Sequence, residues 1–317
     1  MKTPICLLFS AFVSLGALAQ SGHWEREMVA VLEAEKEHVI LGPSAIQAAN
    51  WDDLQHPRFW QQVMVLSPDS VLINVASNRQ IVGKMASRDW NRRTDAQKGI
   101  FKDSVRNALG LTTTERINVT TGKSDFYRFD LVFESLPKGV AAFAQLGVDP
   151  WYAQSILLIE SPGQIKKSSV GAYGPFQLMP SVARAMGLKV NKYVDERTDF
   201  YKSAGAAAKL ISKTCIPSAR SIAQKVGLTV DESAIWFRLL VMHVYHAGAG
   251  NVSAVVQAIG KVPTGEQLIQ RMWNTTAASF GNSSQNYSQL ALAAHLELAD
   301  RLARQGKCMY ACTDESN

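Results

Sequence analysis

Cysteine is scarce, with four in 317 residues at positions 6, 215, 308 and 312, and no two of them form a C-x-x-C pair. A zinc framework built on paired cysteines is therefore excluded. Long hydrophobic runs are also missing: beyond residue 19 no apolar stretch approaches the ~20 residues that a membrane-spanning helix requires. Internal repeats and low-complexity linkers are absent, so nothing marks an array or a disordered tether. Acidic residues are outnumbered, 27 against 33 Lys and Arg, leaving a formal net charge of +6 that suits loose attraction to an anionic polymer without naming one.

What is present describes a globular chain, 47% hydrophobic and 19% charged, long enough for one large or two modest domains. The first nineteen residues differ from the rest. Lys2 precedes the apolar stretch ICLLFSAFVSLGALA, and Ala17-Leu18-Ala19 forms a small-residue cleavage site before Gln20, the pattern of a signal peptide over residues 1–19. An exported protein, periplasmic or secreted, is the expectation. Cys6 lies inside the apolar stretch, so a lipid anchor is not expected. Removal of Lys2 with the leader lowers the net charge to +5. Of the remaining cysteines, Cys215, Cys308 and Cys312, two can pair in an oxidising compartment, tying the C-terminal tail to itself or to Cys215.

Residues 22–42 read as an amphipathic helix with Trp24, Met28, Val31, Leu32 and Ile40 on one face. Between 51 and 133, two β-branched runs, VLINVAS and RINVTT, accompany a helical stretch, TDAQKGIFKDSVRNALG, that ends at Gly110. Trp51, Trp60 and Trp90 read as core residues. The expectation is a small α or α+β domain over 20–135 with no reactive constellation. From about 136 the pattern is almost all helix to Gln305: Pro137 starts one helix, Gly147 ends it, and Asp149-Pro150 provides an N-cap and first helical residue for the next. A tail, 306–317, follows.

In that next helix Tyr152, Ile156, Ile159 and Glu160 share one side, which turns the glutamate inward or into a cleft. Pro162 disfavours helix at Ser161, so Glu160 occupies the last turn. Burial and the negative end of the helix dipole both penalise the carboxylate and raise its pKa, as a general acid for glycosidic cleavage requires. Small residues follow, Ser168, Ser169, Gly171 and Gly174, in a loop where backbone can approach a ligand, with Gln177 offering an amide donor and acceptor. Pro180 then opens a short helix that Gly187 terminates. The acidic residues nearest downstream, Asp195, Glu196 and Asp199, read as solvent-facing. His243 and His246 share a helix face, but no third metal ligand follows a zinc pattern, and no metal or other cofactor is expected.

Glu160-Ser161, GAYGPFQLMP at 171–180, VYHAGAGN at 244–251 and Tyr287 in QNYSQL occur in the order and approximate spacing of the soluble-type lytic transglycosylases. These are murein-cleaving relatives of goose-type lysozyme, and the resemblance covers roughly residues 137–300. It implies a mainly α protein: a lysozyme-like α-helical catalytic domain over 136–305, preceded by the smaller domain. It implies one catalytic carboxyl, Glu160, which protonates the oxygen between N-acetylmuramic acid and N-acetylglucosamine. The ionised group then takes the proton of the muramoyl C6 hydroxyl, giving a 1,6-anhydro sugar without water. Ser161 resembles the serine after the catalytic glutamate, and Ser168 or Ser169 falls near the cleavage subsite. Gly174 and Gln177 match the family's G-L-M-Q motif, with Pro175-Phe176 as its middle pair, and Gln177 would contact glycan. Tyr245 and Tyr287 match tyrosines able to orient the carboxyl, and His246 stands where the family has asparagine. The partner implied is the peptidoglycan glycan strand, and no nucleic acid. Two other readings share the scaffold: a goose-lysozyme-like muramidase, which would need a second carboxylate, and a peptidoglycan-binding protein without turnover.

Overall fold

The computed structural model describes residues 22–33, 36–160, 165–305 and 309–311. The expected leader, Ser161, Cys308 and Cys312 lie outside them. The chain is mainly α-helical, with two small antiparallel sheets.

Residues 22–42 depart from the helical expectation. After a short 3₁₀ turn, His23–Glu27, they form a hairpin of β1 (Met28–Glu33) and β2 (Lys36–Leu41), in register Val29 with Ile40 and Val31 with His38. The reason lies in the composition: VAVL and HVIL are short apolar runs rich in β-branched Val and Ile, with Ala30, Val31, Ile40 and Leu41 buried while Leu32 is 54% exposed. Helical spacing could not bury that set on one side.

Helices α1 (Ser44–Ala48) and α2 (Gln55–Val65) follow, then β3 (Ser70–Val75) and β4 (Ile81–Ala86). Next come α3 (Ser87–Asn91), α4 (Asp95–Ala108) and β5 (Ile117–Thr121). β3 and β5 coincide with the two β-branched runs; β4, interrupted by Gly83, carries a weaker signal and completes the sheet in the order β4-β3-β5. Thr94 caps α4 by accepting from the Gln97 amide, and Gly110 at φ +62 takes the left-handed conformation just beyond its end. Trp51, Trp60 and Trp90 are buried, as expected.

The helical remainder comprises α5 (Phe129–Val132), α6 (Leu136–Gln145), α7 (Pro150–Ile159), α8 (Pro180–Ala185) and α9 (Phe200–Leu210). It continues with α10 (Ile216–Lys225), α11 (Ile235–Ala247), α12 (Ala249–Ile259), α13 (Gly265–Met272) and the long α14 (Asn282–Arg304). One π-helical turn, Ile211–Cys215, joins α9 to α10; Pro217 has no N–H to donate there, and the Ile216 amide bonds five residues back to Ile211. Cys215 in that turn is free and buried, and burial pushes its thiol up to about 12. At the other end of the chain β6 (Met309–Ala311) pairs with β1, giving the order β2-β1-β6.

One hydrophobic cluster runs from Val31 in the hairpin to Leu302 in α14, while a smaller one, Ile73, Val75 and Ile117, sits between the second sheet and α4. Buried polar contacts fasten the hairpin to α7. Gln154 accepts from the Leu41 amide (2.9 Å) and donates to its carbonyl (2.8 Å). Arg238 of α11, fully buried, forks onto Glu27 (2.7 and 2.8 Å) and also donates to Asp149 (2.7 Å). A buried guanidinium is stable only with such paired acceptors. Among the described residues no helix is long and apolar enough to cross a membrane.

Candidate active site

Helix α7 presents Glu160. Asp149 caps its start by accepting from the Trp151 amide at 2.9 Å, Pro150 takes the first helical position, and all ten residues are buried. Such a helix cannot rotate or slide without exposing its own length, so its last residue is held firmly. Glu160 is that C-cap residue, with its amide bonded to the Ile156 carbonyl and 21% of its side chain accessible.

Its carboxyl meets α11 and α14. The Tyr287 hydroxyl donates to Oε1 at 2.6 Å. The His246 ring stacks on Tyr287, with centroids 4.2 Å apart and planes 21° apart, and its Nδ1 lies 4.0 Å from the same oxygen. Burial raises the Glu160 pKa above the usual carboxyl range, and the Tyr287 hydrogen bond pulls it part of the way back. Burial also lowers His246 to about 4, so the imidazole is neutral at neutral pH and supplies no cation to hold Glu160 ionised. The hydroxyls of Tyr287, Tyr245 and Tyr127 are all held protonated, chiefly by burial and then by the Glu160 charge. The carboxyl thus sits among neutral hydrogen-bonding groups in which it can keep or lose one proton.

Tyr245 differs from Tyr287. Its hydroxyl donates to the Phe176 carbonyl at 2.6 Å, so it anchors the following loop instead of the carboxyl. Phe176 is fully buried and stacks on Phe143, which ties that loop to α6. Gln177, at φ +45, spends both amide hydrogens on backbone, donating to Lys166 (2.7 Å) and Gly174 (2.9 Å). Any glycan contact it makes therefore falls to its side-chain oxygen. The Ser168 hydroxyl accepts from the Ala172 amide at 2.9 Å, closing a turn on which Ser169 is exposed. Gly174 is required by the protein's own backbone: at φ +84, an added Cβ would stand 1.9 Å from the Arg197 carbonyl oxygen.

Asp195 and Glu196 are not simply solvent-facing. Arg197, 2% exposed, pairs with both Asp195 oxygens (2.8 and 2.6 Å) and donates to the carbonyls of Gly171 (2.8 Å) and Leu178 (2.9 Å). The guanidinium holds the Asp195 carboxyl below its ordinary pKa. Glu196 bonds Lys202 at 2.7 Å, which lowers it likewise. Arg197 is the loop's organiser, and its position in a polar stretch gave no hint of that. Tyr127 was equally hidden, since it lies in the N-terminal half of the chain and only packing brings it within electrostatic reach of Glu160. His243 is fully buried against Phe280, and burial lowers it to about 3. Among the described residues no group of three or more His, Cys, Asp or Glu could hold a metal ion.

Residues 141–266 match the family model described as the transglycosylase SLT domain. The match takes in Glu160, the 168–178 loop, Tyr245 and His246, and stops short of Tyr287. It covers under half of the chain and points to lytic transglycosylase activity in general. No curated protein matches the chain.

Proposed function

We propose that this protein is an exported lytic transglycosylase that cleaves the β-1,4 bond between N-acetylmuramic acid and N-acetylglucosamine in peptidoglycan, leaving a 1,6-anhydromuramoyl end. The observation that carries the reading is the Glu160 carboxyl: largely but not wholly buried at a helix terminus, raised in pKa, and hydrogen-bonded by one tyrosine hydroxyl.

Glu160 begins protonated and gives its proton to the glycosidic oxygen as the C1–O bond breaks. The resulting carboxylate accepts the proton of the muramoyl C6 hydroxyl while that oxygen bonds to C1, so the group ends as it began and no water is consumed. Tyr287 fits this double duty. Its hydrogen bond favours the ionised form that exists between the two transfers, while burial favours the protonated form at start and finish. The usual pair of carboxylates is not needed for an intramolecular attack. Among the described residues, burial and Tyr287 alone account for the shift of Glu160, with no neighbouring acid contributing. Export is proposed from the leader pattern of residues 1–19 and agrees with an extracytoplasmic substrate.

The test is mass spectrometry of sugars released from purified murein by the mature protein and by Glu160→Gln. Anhydromuramoyl products from the first and none from the second support the reading. Products with a reducing muramic acid end make the enzyme a hydrolase, and undiminished release by the variant removes Glu160 from its role.

A further inference from the structure

We infer that the protein carries a second glycan-binding site, away from Glu160, in a cleft of about 750 Å³ between the start of α2 and the end of α13. Every residue lining it lies outside the 141–266 segment that matches the transglycosylase domain.

The chemistry of the lining selects the ligand. Five of its ten residues are Asn or Gln, and none is acidic. Among the described residues, the side-chain amides of Gln55, Gln267, Gln270 and Asn274 make no hydrogen bond, and Asn78 uses only its oxygen, accepting from the Gln80 amide at 2.9 Å. Free planar amides offer a donor and an acceptor side by side, the complement of sugar hydroxyls and acetamido groups. The His56 ring lies over Trp273, with centroids 4.6 Å apart, and the indole beneath is 4% exposed, so the imidazole is the ring that fronts the cleft and can meet a pyranose face. His56 is lowered to about 4 by burial and by Arg79, so this surface is uncharged at neutral pH. Arg271 is the lining's one cation, with no ion pair among the described residues, and its guanidinium offers a fork of donors to acetamido and hydroxyl oxygens.

The cleft is tied to the catalytic side, and its lining includes none of Glu160, Tyr287 or His246. The Trp273 indole donates to Ser288 of α14 at 2.8 Å, while the neighbouring Tyr287, about 100° around the helix, serves Glu160. A strand held here would engage the enzyme beyond the bond being cut. That the sugar is murein rests on the proposed function; that the cleft takes an N-acetylated sugar rests on its lining.

The experiment compares Glu160→Gln with the same protein also carrying Asn78→Ala and Gln270→Ala, both exposed positions, and checks that thermal unfolding is unchanged. Co-sedimentation with insoluble murein is expected to weaken about tenfold, the loss of one or two hydrogen-bonded contacts. N-acetylglucosamine tetramer, but not a cellulose tetramer, should displace the parent from murein. In a background retaining Glu160, turnover of a short soluble murein fragment should stay within about twofold of the parent, since tenfold corresponds to one lost contact of this kind. Unchanged sedimentation overturns the inference. So does displacement by both tetramers alike, or an equal fall in soluble turnover, which would merge the cleft with the catalytic groove. Absence of turnover in the protein that retains Glu160, Asn78 and Gln270 would instead defeat the proposed function and leave the sedimentation result to judge the cleft.

Discussion

The burial that raises the Glu160 pKa also makes its ionised form a local cost to the fold. A carboxyl whose folded pKa exceeds its unfolded value of ~4.3 contributes stability that is complete below that pH and is lost as pH rises through the folded pKa. Glutamine escapes that loss. Glu160→Gln should therefore melt above the parent at pH 8 and together with it at pH 3.5, by scanning calorimetry. A variant no more stable at pH 8 would show that the carboxylate is comfortable in its site. Tyr287→Phe removes a hydrogen bond to a charged group, an interaction worth roughly 1.5–3 kcal/mol, so kcat should fall about 10- to 100-fold with KM little changed. Since that bond lowers the Glu160 pKa, its loss should move the alkaline limb of the pH–rate profile upward. A downward move would contradict the arrangement.

At the scale of elements, the 168–178 loop is shaped from outside by Arg197 and from below by Tyr245. The glycines and serines that suggest close approach to a sugar are partly used by the protein itself. Gly174 and Gly171 distinguish the two demands, because both have positive φ but only Gly174 lies against another backbone. Gly171→Ala meets open space and should cost the ~1–2 kcal/mol of a left-handed residue. Gly174→Ala adds a clash with the Arg197 carbonyl and should cost clearly more, with the loop displaced and activity lost. Urea unfolding of the two variants side by side makes the comparison, and equal losses would refute it. The end of α4 and the punctuation of α6, α7 and α8 were legible beforehand because Pro, Gly and Asp act on their immediate neighbours. The hairpin was misread because a short apolar run rich in β-branched residues also satisfies helical spacing over a few positions. Its partners, Gln154 and β6, lie more than a hundred residues away.

Across the whole molecule, four of the six histidines are held neutral by burial. His243 and His295 are lowered to about 3, and His56 and His246 to about 4. A histidine whose folded pKa is depressed contributes stability that is full above its unfolded pKa of ~6.5 and declines as pH falls toward the folded value. Each depressed ring should cost roughly 3 kcal/mol between pH 6.5 and 4, so the four together remove on the order of 10 kcal/mol, comparable to the whole stability of a domain. The urea midpoint, followed by tryptophan fluorescence, should drop steeply through that window. A flat profile would mean that these rings protonate without leaving the interior. His295 shows why they are there: it stacks on Trp151 at 5.0 Å and bonds Ser155 at 2.8 Å, so it packs α14 against the helix that carries Glu160.

The amino-acid sequence by itself determined the helical character of the second half, the starts and ends of α6 to α8, and the candidate carboxyl at the terminus of α7, because each depends on chemistry within a few residues. It also set the order of motifs on which the resemblance rests. Tertiary structure alone decided which tyrosine serves that carboxyl. Tyr287, 127 positions away, reaches Glu160, whereas Tyr245 turns to the Phe176 carbonyl. It likewise brought Tyr127 within electrostatic reach of that carboxyl, turned Asp195 into the counter-ion of a buried arginine, and opened the cleft between α2 and α13. These outcomes depend on how distant surfaces pack, and side-chain direction at such contacts is settled by the neighbours that packing supplies.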